Sequence, residues 1–187
     1  MTQTTSQIPV DEAGTLAGAL RLRAERTPDL TAYREFDRQA GAWRAMTWGE
    51  AAERAARWQA GLRRMGLQPG ERVAVMLRNC IDWAMFDQAA LGLGLVTVPI
   101  YTNDRTDNIA YILRDAGVRL LLIEGEEQWR ELAPAARELD SLSAVVTLNP
   151  VTAGDSGVIV HHAPEWLPAD ARPLGAAPGG LGEVDVE

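Results

Sequence analysis

The sequence predicts an α/β domain: an open parallel sheet with helices on both faces, a small β-hairpin near the N-terminus and an irregular C-terminal tail. Strand-like and helix-like segments alternate four times between residues 73 and 147. The strand-like segments are continuous apolar runs, which is typical of strands covered on both faces. Short joints of glycine or asparagine separate the segments, as in successive βαβ units.

The N-terminal segments predict a helix followed by a hairpin. Residues 1–14 form a loose polar leader. Apolar residues then recur at helical spacing over residues 15–26, and Pro28 ends this amphipathic helix. Two β-prone runs, 31–36 and 43–47, flank a turn that contains Gly41, and this pattern predicts a β-hairpin.

The next helix carries its own start and stop signals. Thr47-Trp48-Gly49-Glu50 is a capping-box sequence, in which the threonine side chain and Glu50 satisfy each other's backbone amides. The helix is predicted to run to residue 65, where Gly66 supplies the left-handed stop. Pro69-Gly70 turns the chain into the first parallel strand, and Asn79 is predicted to cap the helix that follows that strand.

The remaining segments continue the alternation until residue 148. The predicted elements are strand 73–77, helix 81–93, strand 96–99, helix 105–116, strand 120–123, helix 126–139 and strand 144–147. Glycine and proline are frequent from residue 149 onward, and the apolar periodicity is lost there. We therefore assign residues 15–148 to the α/β domain and residues 149–187 to an irregular connector with one short strand at 157–161.

Composition excludes several classes of function. The formal net charge of −8 argues against a nucleic-acid surface. All 18 basic residues are arginines, so no lysine can bind a phosphate or form a Schiff base. The single cysteine, Cys80, excludes an internal disulfide and is consistent with a reducing compartment. The polar N-terminus lacks a signal-peptide pattern, and no apolar stretch approaches the roughly 20 residues of a membrane helix. We therefore expect a soluble, cytoplasmic protein without a membrane span.

Two strand ends are candidate ligand sites, because open parallel sheets bind ligands outside the carboxyl ends of their strands. The first is Leu77-Arg78-Asn79, beside a predicted helix N-terminus, although Asn79 with Asp82 also fits an ordinary helix cap. The second is Tyr101-Thr102-Asn103, which follows Pro99, a residue that must end the strand or lie at a sheet edge. These three residues could contact a ligand or form a capping turn.

Other motifs carry no catalytic constellation. Gly92-Leu93-Gly94 follows a helix, whereas a dinucleotide fingerprint needs a strand before it and a helix after it. His161-His162 has no further metal ligands at suitable spacing. No Gly-x-Ser-x-Gly elbow occurs, and the carboxylates of the 126–139 helix alternate with arginines as on a solvated face.

Six further segments stand in a characteristic order: RTPDLTA (26–32), MTWGE (46–50), GLQPGERVAV (66–75), NCIDW (79–83), AALGLGLVTVPIY (89–101) and IAYILRDAG (109–117). In this order and at these intervals they resemble one family, the AMP-forming acyl-CoA synthetases of the adenylate-forming superfamily. The resemblance covers residues 15–148, the N-terminal subdomain of that family. The VPIY ending and the IAYIL segment are most similar to long-chain fatty-acid ligases.

This resemblance implies a reaction that these residues do not complete. Family members use ATP and Mg²⁺ to convert a fatty acid to an acyl-adenylate, and coenzyme A (CoA) then attacks the acyl group. Their phosphate loop and its lysine follow a connector such as residues 149–187, and nothing in residues 175–187 matches that loop. We therefore expect the N-terminal part of a fatty-acid–CoA ligase that is inactive by itself and binds no ATP, Mg²⁺ or CoA alone.

The resemblance identifies one set of candidate site residues and leaves the oligomeric state open. The loop of Tyr101, Thr102 and Asn103 corresponds to a position near the cleft through which pantetheine or adenylate passes, so these are the candidate substrate-binding residues. Acyl chain length is not defined by this part of the family, and homodimerisation is open, since family members often dimerise.

Two alternatives from other classes remain. The chain could be a non-catalytic interaction module derived from a synthetase, because the exposed edges of an incomplete sheet favour association. A downstream reading frame encoding the phosphate loop would favour the enzyme instead. The other alternative is a flavodoxin-like nucleotide binder, which needs a phosphate-binding loop after the first parallel strand. The sequence there, Leu77-Arg78-Asn79-Cys80, contains no glycine.

Overall fold

A computed structural model describes residues 7–38, 40–152 and 157–171. The helices are α1 (Val10–Ala13), α2 (Leu16–Arg26), α3 (Trp48–Arg64), α4 (Ile81–Gly92), α5 (Thr106–Asp115), α6 (Glu126–Ala136) and α7 (Ala163–Trp166). The strands are β1 (Thr31–Asp37), β2 (Ala42–Thr47), β3 (Arg72–Met76), β4 (Val96–Pro99), β5 (Val118–Ile123), β6 (Ala144–Thr147) and β7 (Ile159–His162).

The main sheet confirms the predicted fold class. Its five strands are all parallel and run in the order β4-β3-β5-β6-β7. Helices α2, α3 and α4 pack on one face, and α5 and α6 pack on the other. Strand β4 is an edge strand and ends at Pro99, as the missing amide of proline predicts.

The apolar runs of the central strands are explained by burial on both faces. In β5, Leu120 and Leu122 pack toward α3 and α4, while Leu121 and Ile123 pack toward α5 and α6. All four side chains are fully buried. A strand with helices on both sides has no solvent-facing positions, so it loses the alternation that half-buried strands show.

The predicted hairpin and the start of α3 are also confirmed. Strands β1 and β2 pair antiparallel, with Phe36 opposite Trp43. The Thr47 hydroxyl accepts a hydrogen bond from the Glu50 amide at 3.2 Å, and the Glu50 carboxylate accepts one from the Thr47 amide at 2.7 Å. Gly66 follows the helix with φ of +69°.

The start of α4 corrects one prediction. Cys80, not Asn79, is the N-cap: its backbone is extended and its sulfur accepts a hydrogen bond from the Trp83 amide at 3.4 Å. Because the helix begins at Ile81, the Asn79 side chain lies one position too early to reach the amides of the first turn.

Smaller corrections concern helix ends and the tail. Helix α6 ends at Ala136 instead of residue 139, and the chain then turns so that Leu139 and Leu142 are buried against the sheet. The leader contains the short helix α1, which was not predicted. The predicted strand in the tail is present as β7, and α7 follows it without having been predicted.

Parts of two predicted regions lie outside the described residues. These parts are residues 1–6 of the leader and residues 153–156 and 172–187 of the connector. The stretch 175–187, in which no phosphate loop was found by sequence, lies wholly outside them. Within the described ranges, the helices are all too short or too polar to cross a bilayer.

The segment that contains α7 packs back on α3. The indole of Trp166 lies directly on Gly61, where a β-carbon would come within 2.7 Å of the ring. It also contacts Trp58, with ring centroids 6.1 Å apart. Arg64 donates a hydrogen bond to the Trp166 carbonyl, and Arg57 donates one to the Pro168 carbonyl at 2.9 Å. Ring packing and two hydrogen bonds therefore hold the segment around α7 against α3.

Candidate functional site

The switch point of the sheet lies between β3 and β5. The chain leaves β3 toward α4 on one face and leaves β5 toward α6 on the other face. The two departing loops, residues 77–79 and 124–125, therefore diverge at the carboxyl edge of the sheet. Such a divergence opens the crevice in which parallel sheets commonly bind ligands. The first candidate strand end predicted from sequence lies at this crevice.

Side chains from both loops connect the two strand ends. Arg78 and Glu124 form an ion pair with a nitrogen–oxygen distance of 2.9 Å, and the hydrogen bond that Arg78 donates to the Glu124 carboxylate raises the pKa of Arg78. Gln128 of α6 accepts a hydrogen bond from the Glu124 amide at 2.7 Å and donates one to the Met76 carbonyl at 3.2 Å. Gln128 thereby fixes the end of β3 relative to the end of β5.

An open cleft of about 960 Å³ lies between this crevice and the hairpin. One wall consists of the ends of β3, β5 and β6, and it includes the Arg78–Glu124 pair and Asn149. The other wall consists of hairpin residues from both strands. The hairpin residues that line the cleft are Tyr33, Arg34, Glu35, Phe36, Asp37, Arg38, Trp43 and Arg44.

Each carboxylate that lines the cleft already has a partner. Three of them form ion pairs with arginines, and the fourth accepts a hydrogen bond from a backbone amide at the start of α4. The pairs are Asp37 with Arg44 (3.4 Å), Asp82 with Arg54 (2.7 Å), Glu124 with Arg78 (2.9 Å) and Glu35 with the Ile81 amide (3.3 Å).

Two titratable groups at the cleft, Cys80 and Tyr33, have raised pKa values, which disfavours their deprotonated forms. Burial raises the pKa of the Cys80 thiol, so the reactive thiolate is disfavoured at neutral pH. Burial and the nearby Asp87 carboxylate raise the pKa of Tyr33. Among the residues that the structure describes, no group of three or more potential metal ligands is placed to bind an ion.

The second candidate, the loop of Tyr101, Thr102 and Asn103, lies at the carboxyl end of β4 and does not line this cleft. Asp104 accepts hydrogen bonds from the Arg105 amide at 2.8 Å and from the Asn108 side chain at 2.5 Å, so Asp104 makes the polar contacts at the start of α5.

The three candidate side chains of that loop make no hydrogen bond with any described residue. Tyr101 is 81% exposed. Such a loop is compatible with ligand contact, and its role stays a prediction.

The sequence did not single out Glu124, Gln128 or the hairpin wall. A usable signal was present for Glu124, because a charged residue directly follows the buried strand β5. No comparable signal identified Gln128, whose role depends on β3 lying beside β5 although β4 follows β3 in the chain.

Comparison with protein families matches residues 20–173 to the AMP-binding enzyme family. Among curated relatives, the chain is 29% identical over 121 residues to the long-chain-fatty-acid–CoA ligase FadD15 of Mycobacterium bovis, covering 65% of this chain and 20% of that protein. It is 30% identical over 125 residues to FadD13 of Mycobacterium tuberculosis, also named a long-chain-fatty-acid–CoA ligase, covering 67% of this chain and 22% of that protein.

A shorter relative is aligned over most of its own length. The uncharacterized protein Rv1549 of Mycobacterium tuberculosis is 25% identical over 124 residues, covering 66% of this chain and 69% of that protein. By contrast, the chain spans only about a fifth of the length of the FadD15 and FadD13 ligases.

Solved structures support the fold assignment. The N-terminal domain of FACL13 from Mycobacterium tuberculosis aligns with a TM-score of 0.67 and 24% identity, covering 88% of this chain and 38% of that one. Coronafacic acid ligase from Pectobacterium brasiliense aligns with a TM-score of 0.71 and 14% identity, covering 86% of this chain and 30% of that one. At these identities the likeness concerns the fold.

Proposed function

Because the chain belongs to the AMP-binding enzyme family, we propose that it is the N-terminal part of a fatty-acid–CoA ligase. The match over residues 20–173 carries this proposal, and the names of FadD15 and FadD13 support the substrate class. In the proposed reaction, ATP with Mg²⁺ activates the fatty-acid carboxylate as an acyl-adenylate. CoA thiol then attacks the acyl carbon and AMP leaves, which places the protein in fatty-acid metabolism.

The described residues do not fit a magnesium–triphosphate group. The chain contains no lysine, and the arginines of the cleft that are unpaired among the described residues, Arg34 and Arg38, lie on the hairpin and not in a glycine-rich phosphate loop. The Ile81 amide at the start of α4, which could bind a phosphate oxygen, already donates to Glu35. The carboxylates that line the cleft all have partners, so none is free for a magnesium ion. We therefore propose that these 187 residues supply scaffold and not the adenylation chemistry.

The loop of Tyr101, Thr102 and Asn103 is the part of the chain that we propose contacts substrate in the complete ligase. It follows a parallel strand at the carboxyl edge of the sheet, which is the edge where such sheets bind ligands. Its side chains are not used in hydrogen bonds among the described residues, and Asp104 provides the contacts to α5. The loop can therefore contact a ligand without losing its local structure.

Isothermal titration of the purified chain tests the proposal that these residues supply scaffold and not the adenylation chemistry. We expect no saturable heat with ATP–Mg²⁺ or with CoA, and no pyrophosphate release when fatty acid and ATP–Mg²⁺ are supplied together. Full-length FadD13, titrated in the same buffer, is the positive control. Saturable ATP binding or measurable pyrophosphate release by the 187-residue chain would contradict the proposal.

A non-catalytic interaction module is the second candidate function. The alignment with Rv1549 supports it, because that relative is matched over 69% of its own length. Sequencing of the transcript beyond the codon for Glu187 separates the two candidates. An open frame that encodes a Gly/Ser/Thr-rich loop followed by lysine favours the ligase, and a stop codon favours the module.

We further propose a cytoplasmic location and leave a homodimer as a state to be measured. The free thiol of Cys80 supports a reducing compartment. Sedimentation velocity at several concentrations determines whether the chain self-associates. A fluorescent fusion that is found outside the cytoplasm would contradict the proposed location.

A further inference from the structure

The face of the hairpin that lines the cleft combines arginines with exposed aromatic rings. Arg34 and Phe36 are two residues apart on β1, so they point to the same side, and Arg38 directly follows the last residue of that strand. Trp43 lies opposite Phe36 on β2, and the two rings meet edge to face at 5.6 Å. Phe36 is 47% exposed and Trp43 is 63% exposed. We call these four residues the hairpin face.

The positive charge of the hairpin face is not neutralised within the described part of the chain. The side chains of Arg34 and Arg38 make no ion pair and no hydrogen bond with any described residue. The nearby carboxylates of Asp37 and Glu35 are engaged by Arg44 and by the Ile81 amide. Two free guanidinium groups therefore flank an aromatic pair in a chain of net charge −8.

This composition is that of a binding surface. Tryptophan and arginine are the residue types most enriched at the energetic centres of protein interfaces. Exposed aromatic rings are costly to keep in water, and their burial against a partner contributes favourable free energy. The spacing adds a geometric condition: Arg34 and Arg38 are four residues apart, or about 13 Å along an extended strand.

We propose that the hairpin face docks an extended acidic segment of a partner polypeptide. An extended segment has the same repeat as β1, so acidic residues four positions apart meet Arg34 and Arg38 together. An apolar residue midway between them meets Phe36 and Trp43. This inference does not depend on the ligase proposal, because it rests on the hairpin and not on the family.

The shape of the cleft disfavours other partners. The hairpin face is one wall of a concave cleft, and the opposite wall is polar with Asn79, Glu124 and Asn149. A flat bilayer surface cannot reach into such a cleft. An open cleft of about 960 Å³ is wide enough for a polypeptide segment and encloses a small molecule poorly.

Fluorescence anisotropy with a labelled probe peptide tests the docking. The probe is acetyl-Ser-Glu-Ser-Leu-Ser-Glu-Ser-amide, in which the two glutamates have the required spacing. We expect saturable binding that weakens as salt is raised, because solvent-exposed charges are screened. The double variant Arg34→Gln with Arg38→Gln should lower affinity by about tenfold or more, and Trp43→Ala should also lower it by about tenfold.

Matched controls separate docking from general charge attraction. Arg130→Gln removes another exposed arginine without an ion pair to any described residue, and it should leave the affinity unchanged. A peptide with glutamine in place of both glutamates should not bind. Circular dichroism must show that each variant keeps the parent spectrum.

Three results of the peptide experiments would overturn the proposal: no binding of the probe, equal binding of the glutamine peptide, or no effect of the arginine and tryptophan substitutions. A fourth is that the chain binds phosphatidylserine vesicles more tightly than it binds the probe. Self-association that is abolished by Arg34→Gln with Arg38→Gln would also overturn it, because the hairpin face would then bind a second copy of the chain.

Discussion

The central strands and the hairpin differ in how they bury their side chains. From Leu120 to Ile123, each residue of β5 is fully buried, because helices cover both faces of the sheet. In the hairpin, Tyr33 packs toward the core while Phe36 and Trp43 are left exposed. The central strands are therefore fixed by packing on both sides, whereas the hairpin is fixed on one side and keeps a face for other contacts.

This difference gives the cleft two unlike walls. The wall formed by β3, β5 and β6 is braced by Gln128 and by the Arg78–Glu124 pair. On the hairpin wall, the guanidinium groups of Arg34 and Arg38 have no ion-pair or hydrogen-bond partner among the described residues. A fixed wall opposite an adaptable one suits a binding site, because only the adaptable side needs to reorganise when a partner arrives.

The largest effect is expected when the buried side of this comparison is disrupted. Trp58 is fully buried and meets Phe86 edge to face at 5.5 Å. Trp58→Ala should lower the free energy of unfolding by about 3–5 kcal/mol, since it removes packing and leaves a cavity. Urea denaturation monitored by circular dichroism measures the loss. A loss below about 1 kcal/mol would mean that the core is not packed around this ring.

The next effect concerns the contact between α7 and α3. A methyl group at position 61 would lie 2.7 Å from the Trp166 ring. Gly61→Ala should lower the free energy of unfolding by about 1–3 kcal/mol through overpacking, although alanine is the better helix former. In a Trp166→Ala background the same substitution should instead stabilise the protein by about 0.5–1 kcal/mol.

Thermal or urea denaturation of the four proteins in this double-mutant cycle measures the coupling between positions 61 and 166. Additive effects would show that Trp166 does not rest on Gly61 in solution.

The same contact explains what the sequence could and could not predict. Glycine in the middle of a helix normally weakens it, and nothing near Gly61 in the sequence indicates that a distant indole needs the space. The strands 96–99 and 144–147 were predicted at their observed bounds, because apolar runs between turn residues are local signals. Glu124 and Arg78 are paired only because β5 lies beside β3, and strand order is not a local property.

A smaller effect is expected from acid at the outer strand β7. His161 stacks on Trp166 at 5.8 Å, and desolvation, together with the positive charge of Arg64, lowers its pKa from 6.5. The folded state therefore favours neutral His161, while the unfolded chain protonates it near pH 6.5. Stability should fall as the pH drops below that value and through the lower pKa of the folded state.

Melting temperatures at pH 7.5 and 5.5 test this dependence. His161→Gln should show a smaller difference between the two pH values than the parent chain. His162→Gln is the matched control, because His162 lies 3.3 Å from Glu165 and does not stack on the indole. An unchanged pH difference in His161→Gln would contradict the assignment.

The smallest effect on stability, and the sharpest test of the comparison, is expected at Trp43. Trp43 and Trp58 are the same residue type, but the first is 63% exposed and the second is fully buried. Trp43→Ala removes the edge-to-face contact with Phe36 and should lower the free energy of unfolding by about 1 kcal/mol or less, the usual contribution of a cross-strand pair. If it costs as much as Trp58→Ala, the hairpin face serves folding. If stability is kept and probe binding is lost, Trp43 serves the partner, and the two tryptophans divide folding and binding between the core and the hairpin face.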